Sequence, residues 1–186
     1  MKNLFWLLFS ALLAVVVHVA YLLFVPSQQF SAQIDTVLKN QGTNKFAILD
    51  TALQTKLMPF SSTGDLVGLC KYDVSKGPVK LSIQVPIGYW SFAVYTIRGR
   101  QVYALNGEQA DTRNFSVTLS KAQGLLAQLM GDGSDDALTQ VGELGWRVDV
   151  SDDQGLAFLW MPQSDPWLRR EAAGLIGKSS CVATGG

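Results

Sequence analysis

The chain has 186 residues, 15 Lys and Arg against 15 Asp and Glu, and a single histidine, His18. Balanced charge without a basic cluster excludes the electrostatic footprint of a nucleic-acid binder and leaves no polybasic patch for anionic lipid. Beyond His18 there is no imidazole, which removes Ser-His-Asp and Cys-His catalysis and most catalytic zinc sites from everything downstream.

From Leu4 to Val25 no residue is charged, and only Trp6, Ser10, His18 and Tyr21 carry side-chain polar atoms. A helix of that length rises roughly 30 Å, the hydrocarbon thickness of a bilayer. A cleaved signal peptide would have a shorter apolar run, of about 7–15 residues, and a small-x-small cleavage site. Phe30-Ser31-Ala32 and Val25-Pro26-Ser27 both fit that site poorly. Residues 1–26 therefore read as an uncleaved anchor that meets the bilayer through residues 4–25. Lys2 and the amino terminus precede the span, and no charge follows until Asp35. Positive-inside logic puts the N-terminus in the cytoplasm and the domain outside, which in a bacterium means the inner membrane and the periplasm. Trp6 and Tyr21 lie near the two ends, as interfacial aromatics do. His18 has no second titratable group in the span to relay a proton. It reads as a neutral imidazole near the outer interface or against a partner helix. Ala11, Ala14 and Ala20 do not make a small-xxx-small face.

Residues 27–45 read as a linker with a short helix over 29–41. Phe30, Ile34, Val37 and Leu38 fall at helical spacing, and Gly42 is a stop. Residues 46–178 read as one β-rich domain with a core of its own. Phe46–Leu49 is a short strand, and 50–65 is mixed, with Pro59 and Ser61-Ser62-Thr63-Gly64 marking a loop. Leu66–Val74 is a strand. Val79, Leu81, Ile83 and Val85 alternate with Lys80, Ser82 and Gln84, giving one core face and one wet face. Tyr89–Ile97 is apolar or aromatic on both faces and reads as a central strand covered on both sides. Arg98-Gly99-Arg100 turns the chain into Gln101–Leu105. Short turns between these strands predict an antiparallel meander.

Phe115–Leu119 predicts a further strand, and Ser120 with Gln123 a capping box opening a helix. Gly131–Asp136 is a loop. Trp146–Val150 and Leu156–Met161 predict a second hairpin across 151–155. Asp165 and Pro166 open a last helix, with Leu168, Ala172, Leu175 and Ile176 as its apolar stripe. Residues 179–186 read as a C-terminal tail. Runs of short strands with two or three peripheral helices favour a mainly-β, sandwich- or jelly-roll-like antiparallel domain behind one transmembrane helix.

Little in this domain commits to a reaction. There is no G-x-S-x-G, P-loop or G-x-G-x-x-G sequence. Asp132, Asp135, Asp136, Asp152 and Asp153 fall in loops and read as solvated turn residues rather than paired catalytic carboxylates. The 131–136 loop lacks the spacing and terminal Glu of an EF-hand, so neither a metal nor any other cofactor is expected. Asn114-Phe115-Ser116 is a glycosylation sequon only in a host that glycosylates there. Arg98 and Arg100 at a hairpin tip have the chemistry to clamp an anion, although an ordinary polar turn is the stronger reading. Tyr72 and Asp73 stand at the end of a strand. Together with the arginines they are the candidate ligand-binding residues. Trp90, Tyr95 and Tyr103 would line an apolar pocket or fill the core. Cys70 and Cys181 form neither a CxxC pair nor a zinc set. Either they remain separate thiols or they close a loop of about 110 residues, worth on the order of 4–5 kcal/mol by loop entropy.

Three stretches carry a resemblance: Cys70–Val79 (Cys-Lys-Tyr-Asp-Val-Ser-Lys-Gly-Pro-Val), Tyr89–Tyr95 (Tyr-Trp-Ser-Phe-Ala-Val-Tyr) and Val102–Asn106. They resemble the short members of a bacterial domain-of-unknown-function family, number 1254. The resemblance implies one N-terminal membrane helix, a β-rich domain and an α-proteobacterium-like host. It also implies pairing with a companion membrane protein of family number 1214. It brings no established activity and no catalytic residues. Cysteines at both matching ends favour the Cys70–Cys181 disulfide. The leading expectation is a non-catalytic envelope protein whose β-domain binds a partner protein or envelope ligand. One alternative is a membrane-anchored enzyme on a small or lipid-like substrate, using Tyr72, Asp73, Arg98 or Arg100 in an aromatic pocket. The other is an accessory subunit of a larger membrane complex.

Overall fold

A computed structural model describes residues 2–38, 42–59, 61–62, 64–110, 113–122, 138–140, 145–163 and 165–184. The apolar N-terminal run forms one helix, α1 (Lys2–Leu38), of which Asn3–Val25 is long and apolar enough to cross a membrane. The expected break at Pro26 does not occur. A proline removes one i→i−4 hydrogen bond and its ring crowds the preceding turn, yet the helix continues through it to Leu38. Of the separate helix expected over 29–41, residues 29–38 continue α1, and 39–41 lie outside the described residues.

Among the described residues, ten strands form two five-stranded sheets. The first holds β1 (Phe46–Ile48), β2 (Leu66–Asp73), β4 (Ser91–Thr96), β5 (Gln101–Asn106) and β9 (Gln154–Met161) in the order β1-β2-β9-β4-β5, antiparallel throughout. The second holds β3 (Val79–Gln84), β6 (Asn114–Lys121), β7 (Leu138–Gln140), β8 (Gly145–Val150) and β10 (Ser180–Ala183) in the order β10-β3-β6-β8-β7. Its β6–β8 pair is parallel and its other pairs antiparallel. Short helices α2 (Thr51–Leu57) and α3 (Gly107–Ala110) and the longer α4 (Pro166–Ile176) decorate them.

The sandwich is the predicted class, but its strand pairing is not the predicted meander. β2, β3 and β4 alternate between sheets, so only β4 and β5 make the expected hairpin. β8 and β9 likewise belong to different sheets rather than to one hairpin. Period-two alternation reports which face is buried, not which strand lies alongside, and a short connection serves a cross-sheet arch as well as a hairpin. Ser120 lies inside β6, paired with Asp149, and caps no helix. The predicted helix after it and the 131–136 loop fall outside the described residues. The expected tail contains β10, which pairs with β3 from Ser180↔Ser82 to Ala183↔Val79.

The main core fills the space between the sheets. Val79, Leu81 and Ile83 of β3 and Phe92 and Val94 of β4 point into it, with Phe115, Val117, Leu119, Val148, Ala157 and Leu159. Trp90 and Phe115 stack at 5.0 Å, so Trp90 is core rather than pocket lining, and so is Tyr103, edge-on to Phe92 at 6.4 Å. A second cluster lies on the outer face of the first sheet. There Ile34 of α1 packs with Leu49, Val67, Leu69 and Leu156, next to Tyr95, Phe158 and Trp160. Both faces of β4 are therefore covered, as its two-sided apolar pattern requires. α4 is capped by Asp165, whose carboxylate accepts from Trp167 N, and buries Ala172 and Ile176 of the expected stripe. Leu168, from the same stripe, is exposed.

Cys70 of β2 and Cys181 of β10 close a disulfide across the two sheets, with Cα atoms 6.5 Å apart. Both sulfurs lie in the core.

Candidate functional site

Three turns meet at one end of the sandwich: 74–78 after β2, 97–100 after β4 and 151–153 before β9. Asp73, Arg98 and Arg100 all reach this end, as expected of a shared site, and each is engaged there with the 151–154 segment. Arg98 Nη2 lies 3.2 Å from Asp152 Oδ1, and Arg100 Nη2 donates to Ser151 Oγ at 2.7 Å. Gln154 Nε2 donates to Asp73 Oδ2 at 2.8 Å, while Ser75 N donates to Asp73 Oδ1 at 2.9 Å. Lys121 Nζ lies 2.7 Å from Asp153 Oδ1. Hydrogen bonds from Ser75 first, and then from Gln154 with the charge of Lys76, hold the Asp73 carboxyl below its usual range.

Tyr72 points the other way, into the core, and its hydroxyl donates to Tyr95 O at 3.1 Å. Burial, followed by the charge of Asp152, pushes its phenol well above the ordinary tyrosine range. A buried phenol bonded to the main chain is a packing group. The predicted convergence of Tyr72, Asp73, Arg98 and Arg100 in one aromatic pocket is not what the fold builds. Three of the four clasp turns around an open polar hollow of about 480 Å³, lined by Ser75, Lys121 and Asp152 among others.

A second concavity lies on the outer face of the first sheet. A groove of about 660 Å³ runs between the end of α2 with its following loop and strands β4 and β9. Leu57, Met58 and Pro59 form one wall; Ala93, Tyr95, Phe158 and Trp160 form the floor. Its polar edge is fixed. Asp65 is buried, and its Oδ2 accepts from Trp160 Nε1 at 3.0 Å and from Ser62 N at 3.2 Å. Gln54, buried beneath α2, donates through Nε2 to Ser62 O at 3.0 Å and to Ser61 Oγ at 3.3 Å. Mostly apolar walls with a few fixed polar groups are the usual make-up of a binding cleft.

Of this groove the sequence offers only Tyr95 as a pocket residue, and Pro59, Ser61 and Ser62 read as loop. α2 was missed because residues 50–65 look like loop, although Asp50 followed by Thr-Ala-Leu is an N-cap signal, and its carboxylate does accept from Leu53 N at 2.8 Å. The signal for the floor was the two-sided apolar run of β9, which requires cover on both faces.

No protein-family model matches the chain, and no curated protein matches it. Among solved structures, the VPA0106 protein of Vibrio parahaemolyticus superposes with a TM-score of 0.57 at 10% identity, over 87% of this chain and 36% of that one. An uncharacterised protein from Burkholderia cenocepacia gives 0.47 at 10% identity, over 74% of this chain and 36% of its own. The chain thus spans about a third of the length of these solved structures. What it shares with the Vibrio protein is the fold.

Proposed function

We propose that the chain is a membrane-anchored, non-catalytic binding module of the bacterial envelope. In this reading α1 crosses the inner membrane with its N-terminus inside, and the sandwich lies in the periplasm. The groove over Tyr95, Phe158 and Trp160 receives an extracytoplasmic segment of a companion membrane protein. The observation that carries the reading is where the groove sits, on the same sheet face against which Ile34 of the anchor helix packs. A partner held in the same membrane reaches that face without leaving the bilayer plane.

Three further observations support it. A disulfide buried between the sheets suits an oxidising compartment. The titratable side chains singled out by sequence are engaged in turn clasps and core packing. The fold also occurs as about a third of a longer Vibrio chain, so it is compatible with further polypeptide beside it. The Cys70–Val79 and Tyr89–Tyr95 stretches support kinship with the short members of family number 1254, and with it a companion from family number 1214.

The test is photo-crosslinking in native membranes, with p-benzoylphenylalanine replacing Phe158. A discrete membrane-protein adduct is expected. It should disappear when Ala93→Trp fills the groove in the same chain. An adduct that survives Ala93→Trp, or none at all, would sink the reading.

A further inference from the structure

The sandwich end opposite the clasped turns carries large apolar side chains that the fold leaves uncovered. Ile87 and Tyr89, on the β3–β4 turn, are 77% and 57% exposed; Trp167 and Leu168, in the first turn of α4, are 69% and 47% exposed. A run of contacts ties the two pairs into one region. The Tyr89 ring stands edge-on to Trp160 at 6.0 Å, and Trp160 bonds Asp65. Arg169, next in sequence to Leu168, donates through Nε to Gly64 O at 3.1 Å, beside Asp65. The Arg170 guanidinium lies 5.8 Å from the centre of the Trp167 ring. The nearby Asp165 carboxylate is occupied by the cap on Trp167 N at 2.7 Å. Soluble surfaces scatter such side chains singly, whereas a contiguous set marks a contact surface.

A short tether keeps the domain close to the bilayer. Ile34 of α1 lies in the cluster on the outer face of the first sheet, with Val67 and Leu69 of β2 and Leu156 of β9. The membrane-crossing residues precede Ile34 in the same helix. Only nine residues of continuous helix, a rise of about 14 Å, separate Val25 from Ile34.

We propose that this end of the domain seats on the outer surface of the bilayer that α1 crosses. Ile87, Tyr89, Trp167 and Leu168 enter the headgroup region, and Arg170 faces lipid phosphate. Trp and Tyr suit that position because each has an apolar body and a polar tip. No polybasic patch is needed, since α1 already holds the domain at the surface. The proposal rests on the anchor reading of α1 and adds a second, reversible contact that fixes the orientation of the domain and its groove.

The test uses the full chain, disulfide intact so that only an introduced thiol reacts, one copy per nanodisc of 4:1 phosphatidylcholine and phosphatidylglycerol. Spin labels are placed singly through Leu13→Cys, Ile87→Cys, Trp167→Cys and Lys76→Cys, and depth is read from the ratio of oxygen to nickel-chelate collision. The expected result is a deep label at 13, interfacial labels at 87 and 167, and an aqueous label at 76. A deep label at 13 with aqueous labels at 87 and 167 overturns the seating and leaves the anchor standing. An aqueous label at 13 overturns the anchor and the seating together.

Discussion

Gly155 shows how tightly single positions are specified. It pairs with Tyr72 on one side and Thr96 on the other. A Cβ there would collide with the Tyr95 carbonyl and the Tyr72 hydroxyl, the two atoms that bond each other. The main-chain oxygen cannot swing aside as a flexible side-chain tip can. Gly155→Ala should therefore cost about 2–3 kcal/mol, the upper part of the usual range for overpacking. Urea denaturation of the chain in mild detergent reads this directly, and a loss under about 0.5 kcal/mol would contradict the packing described. Such contacts were not legible in advance. Sequence marked Gly155 as turn punctuation and Tyr72 as a ligand candidate. Their meeting depends on β9 lying between β2 and β4, which no local pattern encodes.

At the scale of elements, legibility followed burial. β3 was readable because strict alternation of Val79, Leu81 and Ile83 with Lys80 and Ser82 has no helical interpretation. β4 was readable as doubly covered, and α4 through Asp165 and Pro166. β10 was not. Its four residues are small, and only pairing with β3 and the bond from Cys181 to Cys70 make them a strand. That bond joins the edge of one sheet to the interior of the other across a sequence separation of 111. Replacing both cysteines with alanine should lower stability by roughly 2–5 kcal/mol. Hydrogen exchange should show its largest gain at β10, which among the described residues pairs with β3 alone in its sheet. Uniform loss of protection across both sheets would argue that the disulfide does not act locally on β10. The groove was half-legible for a related reason. Two-sided apolar strands announced a cover on the outer face, but the cover comes from the Ile34 stretch of α1 and from α2, whose sequences read as linker and loop.

At the scale of the molecule, the long apolar N-terminal helix and the fold class were the most legible features, because a long uncharged apolar run and repeated short strands each have few alternatives. The site was the least legible, because the residues with distinctive chemistry are used here for structure. Arg98 and Arg100 hold a turn, and Tyr72 fills the core. The account depends above all on the sandwich lying outside the membrane that α1 crosses. The most direct measurement is topology in intact spheroplasts. A thiol introduced by Lys80→Cys, exposed on β3, is challenged with a membrane-impermeant maleimide without reductant. The account predicts full labelling before lysis, with Cys70 and Cys181 unreactive in the same sample. Labelling at position 80 only after lysis would place the domain in the cytoplasm and contradict the account.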